Sequence, residues 1–345
     1  MSGTLGCSRL ALGRQHIIAL ASMLALAACG DAPPINPTAN AQYLTDEAND
    51  DLEGAAGDEG TDRSPDTVAR GTSAYSQYIA FGDSFTSGFG LVDVATKCIQ
   101  SPRAWPPQVN TLLGIASPLV FAACSGANTQ DIVAYGPLVK AKKQAGPQIA
   151  LLPPPEELDS ALITIQIGGN DLRLDDSVKQ CLAGLNALSS SSLTRPFTTL
   201  SLLSPQCASL DLLLSALSDA AAESILPSLD YTFRSLREAA PNATIVAVGY
   251  PHLVNATSAC AGVWSAVPED YRQRLNDVAD AINAKIARAA ENAGIFSITD
   301  DVVAAFTDRE ACSPRELISR VTMHPNAAGH QAIARVVANG VSATP

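Results

Sequence analysis

Positive charge is scarce in this chain. Its 345 residues hold 22 Lys and Arg against 34 Asp and Glu, for a net charge of −12. No Lys/Arg cluster is present to neutralise phosphates, which argues against a nucleic-acid partner. Histidine is rarer, with four in all: His16, His252, His324 and His330. No Cys-x-x-Cys pair occurs and the cysteine spacings are wide, so the sequence gives little support for a metal site. Beyond the N-terminal leader no run reaches 18 apolar residues, so no transmembrane helix is expected. No internal repeat is visible. What the chain has is apolar material: 47% of it is hydrophobic and only 16% charged, enough for one sizeable core.

The N-terminus stands apart. Arg9 and Arg14 precede an apolar stretch, Ile17 to Ala28, that is short for a membrane span. It ends in Leu26-Ala27-Ala28-Cys29. This tetrapeptide resembles the bacterial lipobox, in which the cysteine is lipidated and becomes the mature N-terminus. Residues 1–29 therefore read as a lipoprotein signal peptide, with Cys29 as the lipid anchor; an ordinary signal peptide that carries a cysteine is the other reading. Residues 30–74 are strongly acidic. Carboxylates from Asp31 to Asp66 oppose only Arg63 and Arg70 there, the composition of a solvated, disordered linker. Residues 75–345 read as one folded domain. Of the eight cysteines, Cys7 leaves with the leader and Cys29 takes lipid. Cys98, Cys124, Cys181, Cys207, Cys260 and Cys312 remain, an even set that reads as disulfides in an exported domain. Their spacing leaves the pairing open.

Short apolar runs predict five strands: Tyr78–Phe81, Leu119–Ala122, Leu162–Ile167, Thr244–Val248 and Ile295–Ile298. Such runs suit strands buried on both faces of a parallel sheet. Helical spacing lies between them. From Asp270 to Ala293, Leu275, Val278, Ala279, Ile282, Ile286 and Ala289 recur at intervals of three and four, and Gly294 can close the helix. A second helix is expected over Leu210 to Ala240, broken near Pro227, and a third from about Gln331 to Ala338. Strands alternating with helices predict a doubly wound α/β/α domain. Pro153-Pro154-Pro155 marks a surface turn. The Ser- and Leu-rich stretch Leu185–Leu203 reads as an insertion over one end of the sheet, either a cleft wall or a plain loop.

Four pieces, each at or near the end of an apolar run or in a loop, carry candidate chemistry. Gly82-Asp83-Ser84 puts a hydroxyl on the first turn after a strand, where unpaired backbone N–H groups face a helix start. Taken alone it is also an ordinary surface turn. No Gly-x-Ser-x-Gly elbow accompanies it. Gly126, after the second strand, offers either a backbone donor or a tight turn. In Gly168-Gly169-Asn170-Asp171, the Asn170 amide either donates to a ligand or caps the next helix. His324 precedes the last helix and has the pKa range of a general base. His330 reads as a helix cap or surface residue, with a second metal-ligand role disfavoured for lack of further ligands. His252 reads as structural or as part of the rim.

Together and in this order, these blocks resemble the SGNH/GDSL hydrolase superfamily. Ser84, Gly126, Asn170 and His324 match its four name-giving residues, over roughly Tyr78 to His330. Tyr78 to Ser84, Cys98, Pro106, Ala123 to Ala127, Ile167 to Asp171 and His324-Pro325-Asn326 resemble its secreted actinobacterial esterase/lipase branch. The resemblance implies a flavodoxin-like α/β/α three-layer sandwich around a central parallel sheet of about five strands. It implies a serine ester hydrolase that needs no cofactor and forms an acyl-enzyme. Ser84 would be the nucleophile and His324 the base, with the Ser84 N–H, the Gly126 N–H and the Asn170 side chain as oxyanion donors. It also implies cysteines paired in chain order: Cys98–Cys124, Cys181–Cys207 and Cys260–Cys312.

The expected partners are a small-molecule or lipid ester and the membrane reached through the N-terminal lipid, with the domain a monomer. Carbohydrate deacetylase, phospholipase and thioesterase are alternatives within the superfamily. A catalytically dead, surface-anchored binding protein is the alternative outside it. One position departs from the pattern. Most members carry an Asp three residues before the histidine, and here that residue is Val321. Some members of the branch use a main-chain carbonyl instead, which implies a Ser84–His324 dyad oriented by the Val321 carbonyl. Asp300, Asp301 and Asp308 are the rival orienting groups.

Overall fold

A computed structural model describes residues 73–343, except residue 95 and most of 174–218, where only 177, 178, 180, 181, 183, 184, 207, 208 and 214 are described. The leader, Cys29, nearly all of the acidic stretch and the segment 185–203 lie outside the described residues.

Five parallel strands form the centre: β1 (Gln77–Gly82), β2 (Val120–Phe121), β3 (Ala161–Gln166), β4 (Thr244–Ala247) and β5 (Phe296–Ser297). Their order is β2-β1-β3-β4-β5, the flavodoxin-like arrangement. Tyr78 lies opposite Leu162, and Ile163 opposite Ile245. The sequence runs explain the inner strands. Every residue of β3 and all but the first of β1 are buried, because helices cover both faces of a parallel sheet. The two outer strands are shorter than their apolar runs, since only two residues of each find ladder partners.

The helices are α1 (Ser84–Ser87), α2 (Trp105–Leu112), α3 (Thr129–Val133), α4 (Pro137–Lys140), α5 (Asp219–Ala239), α6 (Glu269–Asn292), α7 (Thr299–Phe306) and α8 (Ala327–Ala343). α5 packs on α6 and α3, while α8 packs on α2 and α7. The result is a three-layer α/β/α sandwich. On α6 the expected stripe is the buried face, from Leu275 to Ala289. α8 exceeds its expected span at both ends. Among the described residues no helix is long and apolar enough to cross a membrane.

Pro227 does not break α5, contrary to the sequence expectation. The missing N–H removes one hydrogen bond. Leu226, Leu229, Phe233 and Leu236 on the same helix are all buried, and that packing outweighs the loss. The disulfides pair in chain order: Cys98 with Cys124, Cys181 with Cys207, and Cys260 with Cys312.

Candidate active site

The C-terminal ends of β1 and β3 lie side by side at the middle of the sheet, and each feeds a turn that carries chemistry. β1 ends at Gly82, whose φ is +152°. A Cβ there would come within 2.7 Å of the Gln166 carbonyl and overlap the Thr86 side chain, so only glycine fits. The chain then turns into α1 with Asp83 as N-cap, its Oδ1 accepting from the Phe85 N–H at 2.9 Å. Ser84 is the first helical residue and is buried. At that position its N–H has no intrahelical acceptor.

His324 arrives from the other end of the domain, just before α8. Its Nε2 lies 2.7 Å from Ser84 Oγ. Its Nδ1 lies 2.6 Å from the main-chain carbonyl of Thr322. A carbonyl can only accept, so Nδ1 carries the proton and Nε2 accepts from the serine hydroxyl. The accepting carbonyl thus belongs to Thr322 and not to Val321, a shift of one residue from the sequence expectation. The backbone explains it. Met323 has φ +56°, and this left-handed residue turns the Thr322 carbonyl back over the imidazole. Val321 stays 40% exposed. Asp300 and Asp301 lie in the first turn of α7 and Asp308 just beyond it, and all three are exposed. The imidazole itself is buried between Phe85 and Phe89, with ring centroids 4.6 and 4.9 Å away.

The two turns expected to carry oxyanion donors are bound together. Gly126 sits in the turn after β2 with φ +86°, exposed, and among the described residues its N–H reaches no acceptor. The Cys124 N–H donates to the Gly82 carbonyl at 3.0 Å, which fastens this turn to the one that leads into Ser84. Asn170 Nδ2 donates to the Ala127 carbonyl at 2.9 Å, so one amide hydrogen is committed and the second remains. Asp171 completes the tie, accepting from the Thr129 Oγ1 hydroxyl at 2.6 Å and the Thr129 N–H at 3.1 Å. Burial raises the Asp171 pKa against the opposing pull of the Thr129 bonds.

Ser84 and Asn170 line one pocket with Phe85, Val178, Leu253 and Ile282, so its walls are largely apolar. Gly126 is not among the lining residues. Two further residues escaped the sequence reading. In the sequence Asp83 stands out only as the middle of Gly-Asp-Ser and Tyr250 not at all, yet they share a hydrogen bond. Nothing in their spacing signals that bond, because 167 residues separate them.

The remaining histidines lie off this centre. His330 is fully buried on α8, correcting the surface alternative. Its Nδ1 accepts the Trp105 N–H at 3.3 Å and so caps the start of α2. His252 pairs with Asp280 at 2.8 Å on the rim, next to the lining residues Pro251 and Leu253. Among the described residues no three His, Cys, Asp or Glu side chains converge as metal ligands would.

A buried serine bridged to an imidazole whose far nitrogen is anchored can lose its proton as it attacks an electrophilic carbon. Neighbouring N–H donors can hold an oxyanion formed there. Comparison with known proteins agrees with this chemistry. The family model for GDSL-like lipases and acylhydrolases matches residues 80–332. Lipase 1 of Streptomyces coelicolor is 29% identical over 277 residues, 77% of this chain and 86% of that protein. The phospholipase A1 structure from Streptomyces albidoflavus NA297 superposes with a TM-score of 0.57 at 26% identity, covering 78% of this chain and all of that one. The extracellular lipase structure from Streptomyces rimosus shares the fold, with a TM-score of 0.55 at 23% identity over 77% of this chain and 99% of its own. The chain belongs to the GDSL-like lipase/acylhydrolase family.

Proposed function

We propose that this carboxylic ester hydrolase works through an acyl-enzyme on Ser84, with His324 as general base. The observation that carries the reading is the 2.7 Å contact between Ser84 Oγ and His324 Nε2. As Oγ attacks the ester carbonyl, its proton passes to Nε2, and the Thr322 carbonyl keeps the ring in place through Nδ1. The tetrahedral oxyanion is held by the Ser84 N–H, the Gly126 N–H and the free hydrogen of the Asn170 amide. Loss of one such donor typically costs about 2.7–4 kcal/mol. Collapse expels the alcohol, which takes the proton back from Nε2. Water, activated by the same imidazole, then releases the acid.

The apolar walls around Ser84 support acyl chains as the group bound there. A lipid or short-chain ester is therefore the proposed substrate. The phospholipase A1 relative supports phospholipid as a second arm of the same test.

The disulfides and the extracellular relative support export. We further propose that Cys29 carries the lipid that holds the enzyme at a membrane. Replacing Cys29 by Ser should release the protein into the soluble fraction, and retention at the membrane would reject the anchor.

Hydrolysis of p-nitrophenyl acetate and butyrate by the wild type, Ser84→Ala and His324→Ala tests the mechanism. Both variants should lose at least about 10³-fold in kcat. Near-normal rates in both would reject the assignment. A series of acyl lengths beside phosphatidylcholine and acetylated xylan identifies the substrate class. A fluorophosphonate probe should label Ser84, and failure to label folded protein would support a binding protein instead.

A further inference from the structure

Tyr250 follows β4 and is almost wholly buried. Asn283 of α6 grips its main chain from both sides. The Tyr250 N–H donates to Asn283 Oδ1, and Asn283 Nδ2 donates to the Tyr250 carbonyl, each at 2.8 Å. The ring meets Phe85 edge-on, with centroids 5.2 Å apart. These contacts leave the phenol little freedom.

Its hydroxyl makes two bonds. It donates to Asp83 Oδ2 at 2.5 Å and accepts the Gly169 N–H at 3.2 Å. The other Asp83 oxygen caps the turn that carries Ser84. Gly169 immediately precedes Asn170. One phenol therefore joins the turn bearing the hydroxyl to the turn bearing the amide. Burial and the Asp83 charge push the phenol pKa well above its ordinary value, so it remains a donor to Asp83 at any working pH.

Building on the ester-hydrolase reading, we propose that Tyr250 is a positioning residue: it sets the spacing between the Ser84 turn and the Gly169–Asn170 turn so that both sets of donors reach the same oxyanion. The argument is one of preorganisation. Donors help most when they already point at the charge that develops in the transition state. Without the hydroxyl, the half-buried Gly169 N–H and the buried Asp83 Oδ2 each lose a partner, and the two turns are free to relax apart. The ground-state ester carries little charge on its carbonyl oxygen, so its binding depends far less on this spacing.

The test is Tyr250→Phe, which keeps the ring and removes the hydroxyl. Below its melting midpoint, the variant should lose roughly 10- to 100-fold in kcat on p-nitrophenyl butyrate while KM stays within about threefold. Affinity for a trifluoromethyl ketone, whose adduct with Ser84 bears the same oxyanion, should fall in parallel with kcat. Asp83→Ala removes the same link from the other side, together with the cap on the Phe85 N–H. The double variant should therefore be no more than about threefold worse than the worse single one.

A Tyr250→Phe kcat within about twofold of wild type would overturn the proposal, judged against the full effect of losing one donor. So would ketone affinity that holds while kcat falls, or single-variant effects that multiply. Ser84→Ala in the same assay separates the two levels. If it stays active, the ester-hydrolase reading itself is wrong. If it is dead and Tyr250→Phe is unimpaired, only the positioning role fails.

Discussion

His324 Nδ1 donates to the main-chain carbonyl of Thr322 across 2.6 Å, in the place where a catalytic triad carries a carboxylate. A carbonyl supplies a partial charge and a direction. The orienting group is thus part of the backbone, and its position is set by the left-handed conformation of Met323.

The first prediction follows from that conformation. Thr322→Ala keeps the carbonyl and should retain kcat within about threefold, the range of changes that spare transition-state contacts. Met323→Val places a β-branched residue at φ +56°, where it is disfavoured, and should lower kcat more than tenfold. Steady-state kinetics on one ester distinguishes the two. Equal losses in both variants would assign the effect to side chains.

Asn170 has one amide hydrogen committed to Ala127 and one to spare. Asn170→Ala should lower kcat by about 10²–10³-fold with a smaller change in KM. A KM change that accounts for the whole loss would place Asn170 in substrate binding.

His330 predicts acid sensitivity of the fold. Burial, and secondarily the neighbouring His324 charge, lower its pKa from 6.5 to about 3. Between those values the unfolded chain binds a proton that the folded chain refuses. Stability from this group is therefore complete above pH 6.5 and falls as the pH drops toward about 3. The slope approaches about 1.4 kcal/mol per pH unit. His330→Gln retains an acceptor for the Trp105 N–H but does not titrate. Its melting temperature should vary less between pH 7 and pH 4 than that of the wild type. Parallel curves would refute the assignment.

The Cys98–Cys124 bridge stands beside the Gly126 turn, since the Ser125 N–H donates to the Cys98 carbonyl at 2.9 Å. Its closed loop spans a separation of 26 residues. Replacing both cysteines by alanine should cost about 3.5 kcal/mol of stability on chain-entropy grounds. It should also lower kcat well below the denaturation range, through the loosened turn. Denaturant melts and rates measured on the same samples separate the two effects. Full activity in the folded double variant would limit the bridge to stability.

Local patterns in the sequence were enough to reveal the five strands, the α6 stripe, the three strand-end blocks and the histidine before the last helix. An apolar run between turn residues suits a strand of a doubly wound sheet, whose two faces are covered by helices. Chemistry in such folds collects where those strands end. The family resemblance then implied the cysteine pairing and named Ser84, Gly126, Asn170 and His324. Pro227 misled because propensity is local, whereas the row from Leu226 to Leu236 is buried only once α5 meets α6.

What the chain order alone determined was which residue types stand at which strand ends. The tertiary structure decided which atoms meet. Thr322 and not Val321 supplies the carbonyl, because the φ of one intervening residue aims it. Asp83 and Tyr250 are joined because β1 and β4 flank β3 in a single sheet, which brings residues 167 positions apart to the same edge. Hydrogen bonds reach about 3 Å and depend on angle. Spacing along a chain carries no such information until the sheet is assembled.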